Sequence, residues 1–129
     1  MAQNGASRGL LLTANLLFTS KIAGAAQAMG YSFETVMRPD AAKERLTFGG
    51  FGIVFLDLAT PGLSVVEVIA AAPDRSAVRF VAFGPHVETA LFESARKAGC
   101  DEVIPHSQIS MRLPELLQKI PKAPAETGN

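Results

Sequence analysis

Residues 51–62 read FGIVFLDLATPG: an apolar run from Phe51 that ends on one acid, Asp57, and then turns through Pro61 and Gly62. An apolar stretch without alternation is what a strand covered on both faces carries. Downstream, Ser64 to Ala72 has Val65, Val68, Ile69 and Ala72 at helical spacing, with Pro73 beyond its end. Val78 to Phe83 (VRFVAF) is a second buried-type strand. Pro85 and His86 lead into a helix with Val87, Leu91, Ala95 and Ala98 inward, an exposed Glu93/Lys97 pair, and Gly99 as its stop. Glu102 to Ile104 is a short last strand. Ser110 to Ile120 is a last helix, capped by Ser110 with Pro114 in its first turn.

Upstream the same alternation holds. Gly9 to Thr13 (GLLLT) is a continuous apolar strand, and Asn15 caps a helix with apolar positions Phe18, Ile22, Ala25, Ala26 and Met29. Gly30 ends that helix, and Tyr31 to Met37 (YSFETVM) alternates in polarity as an edge strand does. Asp40 is the expected cap of a short helix, AAKERL, that stops before Gly49-Gly50. Five β/α units with short connections predict right-handed crossovers and a parallel sheet with helices on both faces. The fold class is α/β: a flavodoxin-like, doubly wound, three-layer architecture with strand order 2-1-3-4-5. Its working rim, at the strands' carboxyl ends, gathers Thr13, Ala14, Asn15, Asp57, Leu58, Gly84, Pro85, Pro105 and His106.

Composition sets the limits. In 129 residues there is room for one domain, expected over 9–120, with disordered ends at 1–8 and 121–129. Apolar residues are 48% and charged residues 19%, a globular balance. Twelve Lys plus Arg against twelve Asp plus Glu leave no cation surplus for phosphate neutralisation, which argues against a nucleic-acid partner. The N-terminal apolar run imitates a signal segment, but Thr13, Asn15 and Lys21 interrupt it and no stretch is long enough to span a bilayer. Cys100, the single cysteine, has no internal disulfide partner, suits a reducing cytoplasm and reads as a small buried residue. Two histidines and one cysteine without ligand spacing exclude a zinc site, and His86 reads as a capping or surface residue. Gly49-Gly50-Phe51-Gly52 precedes a strand, whereas a nucleotide-binding loop follows one.

The chain resembles the receiver domains of two-component response regulators. The resemblance rests on FLDLATPG at 55–62, GLSVVEVI at 62–69 and SARKAGCDEVIP at 94–105. It implies that Asp57 stands at the phosphoacceptor position, with Pro61 shaping the following loop. Several positions depart from the family pattern. Thr13 and Ala14 stand where a receiver has an acidic pair for Mg²⁺, and neither replaces a charged oxygen ligand for a hard cation. Gly84 stands at the Thr/Ser position after the fourth strand, and His106 at the Lys position after the fifth. Ser107 replaces the usual proline, and Val103 occupies the aromatic switch position.

Placing a phosphoryl charge about 4 Å from a carboxylate costs roughly 4 kcal/mol per unit-charge pair at an effective dielectric near 20. Unless metal and lysine offset it, one such term slows transfer by about a thousandfold. The reading that follows is an atypical, pseudo-receiver signalling domain, not an enzyme, with a degenerate pocket at Thr13, Ala14, Asn15, Gly84 and His106. No cofactor is expected, a weak Mg²⁺ at Asp57 being the exception conceivable from a backbone carbonyl and water. Asp57 then caps its loop, and His106 faces solvent. Function runs through a protein partner or a homodimer on the face of the fourth helix, fifth strand and fifth helix, with Phe92, Met111 and Leu113 as contacts. The alternatives are a phosphorelay receiver still using Asp57, and a small-ligand module at the strand ends. With no output domain following, the chain is expected to be a stand-alone adaptor or a piece of a longer one.

Overall fold

The run around Phe55 becomes the centre strand of a five-stranded parallel sheet in a computed structural model that describes residues 8–118. The strands are β1 (Arg8–Leu12), β2 (Ser32–Val36), β3 (Ile53–Asp57), β4 (Arg79–Gly84) and β5 (Glu102–Pro105). They lie in the order β2-β1-β3-β4-β5, as expected from the alternating pattern, and every neighbouring pair is parallel. The helices between and after them are α1 (Leu16–Ala28), α2 (Pro39–Phe48), α3 (Val65–Ala70), α4 (Thr89–Ala98) and α5 (Ile109–Gln118). Of the disordered ends expected at 1–8 and 121–129, residues 1–7 and 121–129 lie outside the described residues, as does the helix end expected at 119–120. Arg8, assigned to the disordered N-terminus, instead opens β1, its guanidinium 4.5 Å from the centre of the Phe51 ring.

Strand alternation divides the core into two faces. Leu11, Ile53, Phe55, Val81 and Phe83 meet Ile22 and Ala26 of α1 and Ile109, Leu113, Leu116 and Leu117 of α5. On the other side Leu10, Leu12, Val54, Leu56 and Phe80 meet Ala42 and Leu46 of α2 and Val68 of α3, while Ala82 packs with Ala95 of α4. All five residues of β3 are buried, whereas β2 at the edge has none buried, in accord with its alternating sequence. Lys43 Nζ donates to Glu67 at 2.9 Å and ties α2 to α3.

Several element ends differ from the sequence reading. The cap of α2 is Arg38, with Pro39 as first helical residue and Asp40 inside the first turn, because proline's fixed φ suits that position. α4 starts at Thr89 behind Glu88, which leaves Val87 71% exposed and Leu91 on the rim; the buried anchors are Ala95 and the half-buried Phe92. Glu93 pairs with Arg96 rather than Lys97. In α1, Ala25 and Met29 lie outside the packed face, which is held by Ile22, Ala26 and Phe18. A 3₁₀ turn, His106–Gln108, feeds directly into α5 at Ile109, so Ser110 is not its cap and Pro114 sits within the helix. Ser110 and Pro114 both face solvent, where water can take the carbonyl that the proline cannot satisfy.

Gly9 is required by close approach. It pairs in register with Phe33, whose ring occupies the space a Cβ at position 9 would need and stacks on Phe55 at 5.6 Å. Gly9→Ala is expected to destabilise the fold by about 2 kcal/mol, the cost of overpacking a filled site. A urea unfolding midpoint unchanged from the parent would contradict this packing.

Candidate functional site

Parallel strands deliver their carboxyl ends to one rim. The register Leu12↔Leu56 brings Thr13, just past β1, beside Asp57 at the end of β3; Gly84↔Pro105 brings His106 in from the other side. Asp57 is 3% exposed, and its carboxylate accepts three hydrogen bonds. Thr13 Oγ1 donates to Oδ2 at 2.6 Å, while Oδ1 accepts the Ala59 backbone N–H at 3.0 Å and lies 2.9 Å from His106 Nε2. Thr13 Oγ1 itself accepts the Asn15 N–H at 3.1 Å, which leaves its hydrogen directed at the acid. A carboxylate only accepts, so the facing imidazole nitrogen is the one that carries hydrogen.

The imidazole position corrects the solvent-facing loop histidine expected from sequence. His106 opens a 3₁₀ turn, and its ring is half-buried between Phe18, 4.7 Å away and tilted, and the edge of Phe83 at 5.3 Å. Burial of the ring against two aromatics, together with a charge-assisted hydrogen bond, outweighs its hydration in the loop. The expected loop-capping role of Asp57 is present in the Ala59 bond.

The remaining rim positions fall into two groups. Asn15 and Ala14 are exposed; Asn15 Oδ1 accepts from Leu17 N–H at 2.9 Å and caps α1 as expected. Gly84 ends β4 under Leu58 and Phe92, and a Cβ there would stand 3.1 Å from the Leu58 Cβ and 3.4 Å from the Phe92 ring. Val103 is half-buried against Leu58, Ala82 and Ala95. Pro61 and Gly62 border a separate cleft of about 520 Å³ against Met37, Arg38 and Pro39.

Asp57 and His106 line an open cleft of about 680 Å³ whose lips are Leu16, Leu17, Phe18 and Ala59. Two contributors escaped the sequence reading. Thr60 is 6% exposed, with its Oγ1 lacking a partner among the described residues, and Phe18 is the surface on which the imidazole rests. The only signals for them were nearness to Asp57 in the chain and an aromatic one turn into α1.

Elsewhere, His86 is exposed in the loop before α4 and does not cap it. Cys100 is half-buried; burial, with the Asp101 charge beside it, pushes its thiol up to about 12, so it stays protonated and unreactive near neutral pH. Among the described residues no group of three or more His, Cys, Asp or Glu side chains could hold a metal ion, and no helix is long and apolar enough to cross a membrane.

No family model matches the sequence, and no curated protein matches it. Solved structures do match. A response regulator from Burkholderia pseudomallei, solved with a phosphorylated aspartic acid, calcium ion and citrate, is 17% identical; the match covers 95% of this chain and 71% of that one, with a TM-score of 0.73. The receiver domain of a sensor histidine kinase from Pseudomonas aeruginosa, with magnesium ion coordinated in its active-site cleft, is 18% identical over 88% of this chain and 96% of that one (TM-score 0.77). A chemotaxis response regulator of Vibrio cholerae is 14% identical over 88% and 98% (TM-score 0.74). Likeness at this level of identity establishes architecture, and the architecture of this chain is that of the response-regulator receiver domain.

Proposed function

We propose that this chain is a non-catalytic signalling domain on the receiver fold, with a degenerate phosphorylation pocket in which Asp57 is a hydrogen-bonded anchor rather than a phosphoacceptor. The observation that carries this reading is the ring of three donors on the Asp57 carboxylate: Thr13, Ala59 N–H and His106. Those contacts suit an anion kept in place. They do not suit a hard divalent cation, which needs several oxygen ligands, and Thr13 and Ala14 add no second carboxylate. The Mg²⁺ of the receiver family therefore does not fit these residues, and no step is assigned to it. Leu58 and Phe92 fill the space over Gly84, where a receiver places a hydroxyl.

Such a domain acts in the cytoplasm by holding a protein partner or a second copy of itself. The candidate face is made by α4, β5 and α5. Met111, 74% exposed, is its apolar contact, and Arg79, Glu102, Arg112 and Glu115 form a chain of ion pairs beside it. Two residues expected on that face are corrected. Leu113 is fully buried in the core and Phe92 packs half-buried against Leu58 and Ala82, because both lie on the inward stripe of their helices.

Acetyl phosphate with Mg²⁺, followed by intact-mass measurement, tests the pocket. No hydroxylamine-labile acyl phosphate is expected on Asp57. A stoichiometric adduct of that kind, lost in Asp57→Asn, would establish the phosphorelay reading in its place. A small molecule that raises the melting temperature without any adduct would point to a ligand module.

A further inference from the structure

The same geometry that occupies Asp57 leaves one reactive atom free. His106 Nε2 is held on Asp57 Oδ1 at 2.9 Å, so its hydrogen lies on that nitrogen and the in-plane lone pair lies on Nδ1. Nδ1 has no hydrogen-bond partner among the described residues, is not one of their buried orphaned atoms, and belongs to a side chain that is 24% exposed. The ring cannot swing freely, since Phe18 and Phe83 pack on it. A nucleophile whose tautomer and orientation are fixed by a buried carboxylate is the usual arrangement of an activated histidine. His106 also lines the open cleft of about 680 Å³, which has room for a phosphoryl group.

We propose that His106 Nδ1 is a phosphoryl-accepting site for phosphorus–nitrogen donors, such as a phosphohistidine on another protein, with Asp57 as the positioning residue. This rests on the reading that Asp57 itself is not the acceptor. The Nδ1 lone pair attacks phosphorus, and the donor's P–N bond breaks with its electron pair leaving on the donor nitrogen. With phosphoramidate that nitrogen already carries three hydrogens and departs as ammonia; a phosphohistidine donor reacts as its phosphoimidazolium, whose other ring nitrogen holds a hydrogen, and departs as neutral imidazole. The ring keeps its Nε2 hydrogen and becomes a phosphoimidazolium, whose positive charge faces the Asp57 carboxylate. No metal and no separate proton acceptor are needed. Transfer between two nitrogens also exchanges like bonds, so the step carries no large uphill cost.

His86 is the internal reference: it is exposed and has no carboxylate partner among the described residues. The full chain is treated with phosphoramidate, and the adducts are followed by intact mass and peptide mapping. The expected product is acid-labile, hydroxylamine-resistant phosphohistidine at His106, formed about tenfold faster than at His86, as an oriented nucleophile should be. His106→Gln should abolish the fast adduct. Asp57→Asn, checked for folding by circular dichroism, should slow it about tenfold, toward the His86 rate. Equal rates at the two histidines in the parent chain overturn the proposal without recourse to any variant, as does an unslowed Asp57→Asn or no adduct at all. A hydroxylamine-labile adduct on Asp57 would instead overturn the function proposed above.

Discussion

Phe55→Ala lowers the free energy of unfolding by about 4 kcal/mol, the largest effect expected of any single truncation in this chain. Phe55 is fully buried at the middle of β3, the strand hydrogen-bonded to both β1 and β4. Its ring stacks on Phe33 and belongs to the cluster shared with α1 and α5. Truncation removes that buried area and leaves a void that neighbours anchored in regular elements cannot fill. Against a total of about 5–15 kcal/mol for a domain of this kind, the variant loses roughly a quarter to four-fifths of its stability. Chemical denaturation of parent and variant checks this. A loss below about 1.5 kcal/mol would mean that the site collapses around the deletion and that β3 is not the rigid centre of the sheet.

Thr13→Val should cost about 3 kcal/mol, although it preserves side-chain shape. The hydroxyl is 1% exposed and holds two partners at once, donating to Asp57 Oδ2 and accepting the Asn15 N–H at the start of α1. Valine leaves a buried carboxylate oxygen without one of its donors, and strips the residue that caps α1 of its own support. Thr13→Ser keeps the hydroxyl and should stay within about 1 kcal/mol of the parent, the loss of one buried methyl group. Equal losses in the two variants would show that position 13 matters for packing alone and that the Thr13–Asp57 bond contributes little.

The two effects differ in kind. Phe55 acts through removal of apolar surface from water and through close packing, which any well-filled side chain in the same place could supply in part. Thr13 acts through hydrogen bonding to a charged group in a site that excludes water, where the penalty for a missing partner exceeds the value of the bond in solvent. The same contrast separates the ordinary core of this chain from its rim. A rim built on one acid and three donors favours a single resting arrangement, consistent with a domain read by contact and with an imidazole held ready at its edge.

Strand order was legible because the apolar runs around Leu11, Phe55 and Val81 have no polar alternation, and such runs demand cover on both faces. The polar alternation of Tyr31 to Met37 placed its strand at the edge for the same reason. Helix starts were legible where a side chain made the cap, as at Asn15 and Ser64. They were missed where backbone geometry decided, as at Pro39 and at the 3₁₀ turn ahead of Ile109. Apolar spacing alone misassigned Val87, which precedes the helix that begins at Thr89 and so has no place on its inward stripe, while Leu91 lies at the exposed edge of the stripe that Ala95 anchors. Within the rim, the sequence supplied Thr13, Asp57 and His106 as separate positions 44 and 49 residues apart from the acid.

The amino-acid order therefore determined the parallel sheet, its strand sequence and the rim on which Asp57 sits, because hydrophobic periodicity is a local property of the chain. Tertiary structure alone decided that Thr13, Ala59 and His106 converge on that acid, that Phe18 and Phe83 fix the imidazole, and that Leu58 and Phe92 close over Gly84. Hydrogen bonds and ring contacts of this kind depend on ångström-scale distances between residues remote in the chain, and no local pattern of side chains encodes them.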